Sequence, residues 1–238
     1  MILERAQLKA DAREAMRGRT PSTYLVALAF IVILAVLEML GTRLQFPGVT
    51  LAELFSVETE AQADRIMNAY LTSPGVLNRL LSYAVSLMEM MITVGFISYT
   101  LCVSRRIDAG FDELFAAFGN FFRLLALRVL TALLVFAWSL LLIVPGIIAA
   151  YRYSLAVYIQ LADPDKSPID CLRESRERTS GWKMQLFLFD LSFIGWYLLS
   201  AVPFVSVYTM PYIYTAKANA YRVITGRMDE PAHVDFTI

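Results

Sequence analysis

The sequence has little of what most chemistry requires. Its 238 residues include one histidine and two cysteines, too few for a Cys/His metal cluster or a disulfide framework. Charged residues make up only 18%, and 21 Lys+Arg balance 21 Asp+Glu, so no field of one sign offers itself to a polyanion, and nucleic acid is not an expected partner. No catalytic motif stands out, and no small-x-small cleavage site follows the first apolar run, so a cleaved signal peptide is not expected. What is present excludes a water-soluble enzyme. Hydrophobic residues reach 58% with a mean hydropathy of +0.56, against ~45–50% apolar in soluble domains, and they come in runs too long for a globular core helix.

A hydrocarbon core of ~30 Å takes ~20 residues of helix, because lipid leaves no partner for an exposed backbone group. Runs approaching that length lie at 22–40, 76–103, 121–144, 146–161, 184–199 and 202–220. The expected fold is all-α: a polytopic membrane protein with six transmembrane helices in three hairpins and short amphipathic cytoplasmic helices. The fourth run is short, and the sixth contains Pro203 and Pro211, where a helix is open to kinking. One side collects Arg5, Lys9, Arg13, Arg17 and Arg19, then Arg105 and Arg106, the basic residues from Lys166 to Lys183, and Lys217, Arg222 and Arg227, while the other has Arg43, Arg65 and Arg79. The positive side faces the cytoplasm, so both termini are expected there. Cys102 and Cys171 fall on the same side, where thiols stay reduced. A single membrane domain would then run over 1–238, with an amphipathic cytoplasmic helix at 1–20, hairpins at 21–103, 104–162 and 163–222, an outer loop at 41–75 and a tail at 223–238.

A shift of 58 positions aligns Asp112, Leu114, Trp138, Val144 and Pro145 with Asp170, Leu172, Trp196, Val202 and Pro203, which suggests an internal repeat of two hairpins. A shift of 163 aligns Arg13, Glu14 and Gly18 with Arg176, Glu177 and Gly181 and extends it to three; chance alignment of Leu-rich helices is the alternative. Phe111, Leu114, Phe115 and Phe118 at i, i+3, i+4 and i+7 predict an interfacial helix, one face in the headgroups and Asp112 and Glu113 in water. Ser167, Pro168 and Asp170 predict a capped helix start running to Gly181, with a solvated face of Arg173, Glu174, Arg176, Glu177 and Arg178. In the outer loop, Glu53, Glu58, Glu60 and Asp64 against Arg43 and Arg65 read as one short helix and coil.

The stretch from Pro145 to Ser200 resembles the bacterial integral-membrane family catalogued as domain of unknown function 975, as do the opening Leu8 to Gly18 and the closing Pro211 to Arg222. That resemblance implies a multi-pass protein of the bacterial cytoplasmic (inner) membrane and carries no established activity or catalytic residue with it. The pattern Pro-Gly-Ile-Ile-x-x-x-Arg at Pro145 to Arg152 is also similar to the membrane-embedded part of some glycerophosphodiester phosphodiesterases, with no counterpart of their hydrolase domain in these 238 residues.

Ionisable groups in lipid cost roughly 2.5–3.5 kcal/mol each at a helix centre, so those present usually face the bundle interior with a partner. Arg128 and Asp190 each lie about seven residues into an outward-going helix, ~10 Å along it, and are expected to pair. Glu38 and Arg152, at comparable depth below the other face, make a second candidate pair. Glu89, ~20 Å past Val76 along its helix, has no expected cation at its level. It is a candidate ion or proton site, or a carboxyl that stays protonated against a neighbouring Ser or Tyr. Gly146, Ala150 and Ser154 would form a small-residue packing face. Tyr151, Tyr153, Tyr158, Tyr208, Tyr212 and Tyr214 either line a lipid or solute cavity or pack and anchor ordinarily. Asp163, Pro164 and Asp165 form a D-x-D that reads as a turn or as a divalent-cation site. His233 stands alone, and no metal or cofactor is expected.

Three functions remain open. The first is non-enzymatic transport, channel activity or lipid or solute binding around Glu89, Arg128, Arg152 and Asp190. The second is a scaffold or accessory subunit, and the third a membrane enzyme on lipid headgroups using the D-x-D. Membrane lipids are the expected partners, with other membrane proteins or a second copy for the scaffold.

Overall fold

The computed structural model describes residues 3–45, 59–71, 75–200 and 202–226. Glu53 and Glu58 of the outer loop, and His233 and Arg227 of the tail, lie outside the described residues. Among those described, every regular element is helical. In chain order they are α1 (Arg5–Ala15), α2 (Thr23–Gln45), α3 (Glu60–Leu71), α4 (Val76–Ser104), two 3-10 turns (Phe111–Leu114 and Ala116–Asn120), α5 (Phe121–Leu141), α6 (Ile143–Arg152), α7 (Ala156–Ala162), α8 (Pro168–Arg178), α9 (Lys183–Leu191), α10 (Ile194–Leu199) and α11 (Pro203–Thr225).

Among the described residues three segments are long and apolar enough to cross a membrane: Thr23–Gln45 with 23 residues, Val76–Ser104 with 29 and Ala116–Leu141 with 26. At ~1.5 Å per residue the shortest reaches ~35 Å, more than the ~30 Å hydrocarbon core. Large apolar side chains stay outside the protein core, with Phe122 82%, Leu140 71%, Ile143 78% and Phe204 90% exposed. Water would penalise such a belt and lipid would not. The chain is a membrane protein by this composition.

Two units account for the packing. One comprises Phe30–Ile92, holding most of α2, all of α3 and the first half of α4. Inside it Gly41 faces Val85, whose Cγ1 would lie 3.6 Å from an added Cβ, and Gln45 Nε2 donates to Ser82 Oγ at 3.5 Å. The other unit comprises Met1–Ala29 and Thr93–Ile238. There α5 packs on α6, α7 and α8, α9 packs on α6, and α1 and α10 both pack on α11. Its core gathers Phe96, Tyr99, Leu101, Ile159, Phe189, Phe193 and Tyr221, all essentially inaccessible.

The short elements follow local rules where caps exist. Ser167 Oγ accepts from the Asp170 amide at 3.2 Å and donates to its carboxylate at 2.7 Å, with Pro168 at the first turn of α8, as the sequence predicts. The helix ends at Arg178, and Gly181 follows at φ +83°. Gly18 after α1 has φ +70°, a conformation glycine adopts without strain. The predicted interfacial helix is corrected: residues 111–120 form two 3-10 turns, and the expected apolar face splits. Phe111, Phe115 and Phe118 are exposed while Leu114 is 1% exposed, turned inward against Gly95 of α4, where an added Cβ would lie 2.0 Å from the Leu114 carbonyl oxygen.

Candidate functional site

Two runs expected to be continuous are broken. Residues 143–162 form α6 and α7 with a turn between them at 153–155, and residues 183–199 form α9 and α10 with a turn at 192–193. A break frees backbone carbonyls, and at membrane depth only protein or enclosed water can satisfy them. The Arg152 carbonyl accepts from Ser175 Oγ of α8 at 2.9 Å and from Oγ1 of Thr179, the residue that caps its end, at 3.2 Å. The Ser192 carbonyl accepts from Lys9 Nζ of α1 at 2.9 Å, and that ammonium lies 4.2 Å from the Phe193 ring centroid. Each broken run is thus tied to a short polar helix, the first to α8 and its cap and the second to α1.

A cavity of about 230 Å³ opens at the two breaks. Tyr151, Ser154 and Leu155 line it from the first, Leu186, Phe189 and Asp190 from the helix entering the second, with Tyr158, Tyr197, Tyr214 and Lys217 completing its polar and aromatic wall. Lys217 Nζ lies 3.1 Å from Asp190 Oδ1, each side chain about a third exposed at 33% and 31%. The Tyr151 hydroxyl donates to Asp190 Oδ2 at 3.2 Å, and the Lys217 ammonium sits 5.8 Å from the Tyr197 ring centroid. The carboxylate therefore has both oxygens engaged, whereas the ammonium has three donors, of which Asp190 takes one and Tyr197 another.

This arrangement corrects the pairing expected from the sequence. Asp190 meets Lys217 and not Arg128: α11 runs to Thr225, past the expected end at 220, and carries Lys217 about two turns inside its end. Arg128 is half-buried, its Nε inaccessible and without a hydrogen-bond partner, within electrostatic reach of the cavity tyrosines Tyr158 and Tyr214. Arg152 holds its guanidinium 5.9 Å from the Trp138 ring centroid. Glu38, exposed on α2, and Glu89, half-buried on α4, belong to the Phe30–Ile92 unit. Glu89 is engaged with another group.

Of the six tyrosines singled out by sequence, Tyr151, Tyr158 and Tyr214 line the cavity. Tyr208 stacks on Tyr24 at 5.4 Å, Tyr212 packs edge-on against Trp196 at 5.4 Å, and Tyr153 is buried at the turn after α6. The small-residue face is also corrected. Gly146 abuts Ser139, whose Oγ would lie 2.2 Å from an added Cβ, but the next buried residue is Ala149; Ala150 is exposed, and Ser154 lies past the end of α6 on the cavity. The D-x-D forms the predicted turn, Asp165 pairing with Arg123 at 2.9 Å and Asp163 with Lys166 at 3.5 Å. Among the described residues no three His, Cys, Asp or Glu side chains converge. Cys102 and Cys171 are both buried and free, and burial pushes the Cys171 thiol up to about 11.

A family model described as "Protein of unknown function (DUF975)" matches residues 139–228. The chain resembles that family. The match takes in the stretch from Pro145 to Ser200 and the closing Pro211 to Arg222 read from the sequence, and leaves out the opening Leu8 to Gly18. It contains both helix breaks and every cavity residue except Ile97. No curated protein and no solved structure matches the chain.

Proposed function

We propose that this is a six-crossing protein of the bacterial cytoplasmic membrane, with both termini in the cytoplasm, that binds a small solute without chemical conversion in the cavity at the two helix breaks. The observation that carries the reading is the Lys217–Asp190 pair on the wall of that cavity. Interrupted helices at membrane depth are tolerated where they line a cavity or are buried in protein, and binding sites of membrane carriers are built at such interruptions. Against a headgroup enzyme stands the commitment of Asp163 and Asp165 to cations of their own chain. The parallel placement of Gly18 and Gly181, each at positive φ after a short helix that ties off a broken run, supports the threefold repeat.

Topology is tested by labelling. Ser180, exposed just beyond α8, is expected as Ser180→Cys to resist an impermeant maleimide in intact cells and to react after permeabilisation, with the buried native thiols silent. Reaction from outside would reverse the orientation.

The cavity is tested by filling it. In protein reconstituted into nanodiscs and titrated with a panel of small organic acids, amines and amino acids, saturable binding is expected for the parent. Ser154→Trp, at an exposed position on the cavity rim, should abolish it while leaving the unfolding midpoint within a few degrees. Binding that survives a filled cavity, or a parent that binds nothing, would shift the reading to a scaffold.

A further inference from the structure

The substrate class can be read from the charges around the cavity, an inference that rests on the cavity being a binding site. Two charged side chains line the cavity, and Arg128 of α5, which does not line it, acts on two of its tyrosines. Asp190 and Lys217 neutralise one another at 3.1 Å. Arg128 is the third, coupled electrostatically to Tyr158 and Tyr214, which also feel Lys217. A phenol carries no formal charge at physiological pH. The set therefore carries one positive charge in excess.

That excess is placed where it is costly. Arg128 lies within α5, in a segment long and apolar enough to cross the membrane, and its inaccessible Nε makes no hydrogen bond. Asp190, the carboxylate on the cavity wall, already has both oxygens taken by Lys217 and Tyr151. Among the described residues Arg128 has no ion pair, and an intramembrane ionisable side chain is by default a candidate functional site. A cationic ligand would have to meet two resident cations and win Asp190 from Lys217.

The remaining wall is apolar or aromatic: Ile97, Leu155, Leu186 and Phe189 with the faces of the tyrosines. At about 230 Å³ the space equals roughly seven or eight waters at ~30 Å³ each and falls below the ~300–1,000 Å³ of sites for drug-sized ligands. We infer that the cavity takes a small organic monoanion with a ring-sized apolar body, its anionic group drawn to Lys217 and Arg128 and its body against the tyrosines.

Benzoate, benzyl alcohol and benzylammonium share one body and differ in charge, so they separate this inference from the reading beneath it. Each is titrated calorimetrically into the full chain in phosphatidylcholine nanodiscs. Benzoate is expected to bind saturably and at least tenfold more tightly than the other two. Arg128→Gln should weaken benzoate about tenfold and leave benzyl alcohol unchanged, and Arg128→Lys, which keeps the charge, should restore most of the loss even if the Gln variant folds poorly.

Tightest binding by benzylammonium, equal binding by all three, or benzoate binding indifferent to Arg128→Gln would overturn the anion assignment while the cavity stands. Binding by none of the three would remove both. A lipid headgroup could supply the same negative charge, so the titration is repeated with phosphatidylglycerol. Unchanged benzoate affinity supports a soluble anion, and its loss would assign the site to the lipid and overturn the proposal.

Discussion

Lys217→Met is expected to destabilise the protein by about 2–3 kcal/mol, with Asp190→Leu costing a similar amount and the double variant recovering most of the loss. Removing one partner of a buried ion pair costs ~3–5 kcal/mol because the other charge is stranded, whereas replacing both by apolar groups is often neutral. The lower figure applies because the two side chains are 33% and 31% exposed, and a partly hydrated charge loses less. Tyr151 adds to the asymmetry. Its hydroxyl, at 3.2 Å from Asp190 Oδ2, keeps its hydrogen bond to the carboxylate when Lys217 is gone and loses it when Asp190 is gone. Denaturant unfolding in micelles across the double-mutant cycle measures the coupling. The same cycle on Arg128 and Asp190 should give losses additive to within ~0.5 kcal/mol. A larger coupling for Arg128 than for Lys217 would restore the pairing suggested by helix depth and remove the site.

That depth argument was sound and used the wrong endpoint. Measured from Thr225, where α11 stops, Lys217 lies about eight residues inside its helix, matching the seven or so of Asp190. Ending the helix at 220 put Lys217 near the surface and left Arg128 as the apparent partner. The long apolar runs were legible because length and hydropathy alone determine them: α2, α4 and α5 begin or end within a few residues of the runs at 22–40, 76–103 and 121–144. The cap of α8 was legible because Ser167, Pro168 and Asp170 act within one turn. The breaks after Arg152 and Leu191 were not, since neither Pro nor Gly occupies 153–155 or 192–193. Their carbonyls are satisfied by Ser175 and Thr179, more than twenty residues on, and by Lys9, 183 residues away. Tertiary partners make those breaks affordable, and a local reading has no access to them. Tyr197 escaped notice for a related reason: it follows a break and faces a cavity that only the broken helices create.

Gly95→Ala should destabilise the unit of Met1–Ala29 and Thr93–Ile238 by about 2–4 kcal/mol, the reverse of the usual effect in a helix. In a helix interior, alanine is favoured over glycine by about 1 kcal/mol. At Gly95 an added Cβ would meet the Leu114 carbonyl oxygen at 2.0 Å, its carbon at 2.5 Å and Cα at 2.9 Å. These are backbone atoms that cannot rotate aside, so the Phe111–Leu114 turn must lift. Overpacking costs ~1–3 kcal/mol, and lifting the turn also exposes Leu114, now 1% accessible, at up to ~1.5–3 kcal/mol for a fully exposed side chain. The movement breaks the bond from Ser98 Oγ to Glu113 Oε2 at 2.9 Å. Burial, opposed by that bond, holds the Glu113 carboxyl above the usual carboxylate range, so lifting the turn should let its pKa fall back toward the ordinary value. Gly41→Ala is the control, about one turn from the end of α2 with Val85 Cγ1 at an ordinary 3.6 Å, and should be neutral or stabilising by up to ~1 kcal/mol. Thermal unfolding of both variants in micelles, with carboxyl titration of a 13C-labelled Glu113, reads the two effects together. A Gly95→Ala variant as stable as the parent, with Glu113 unmoved, would show that the turn does not seat on α4 at this glycine.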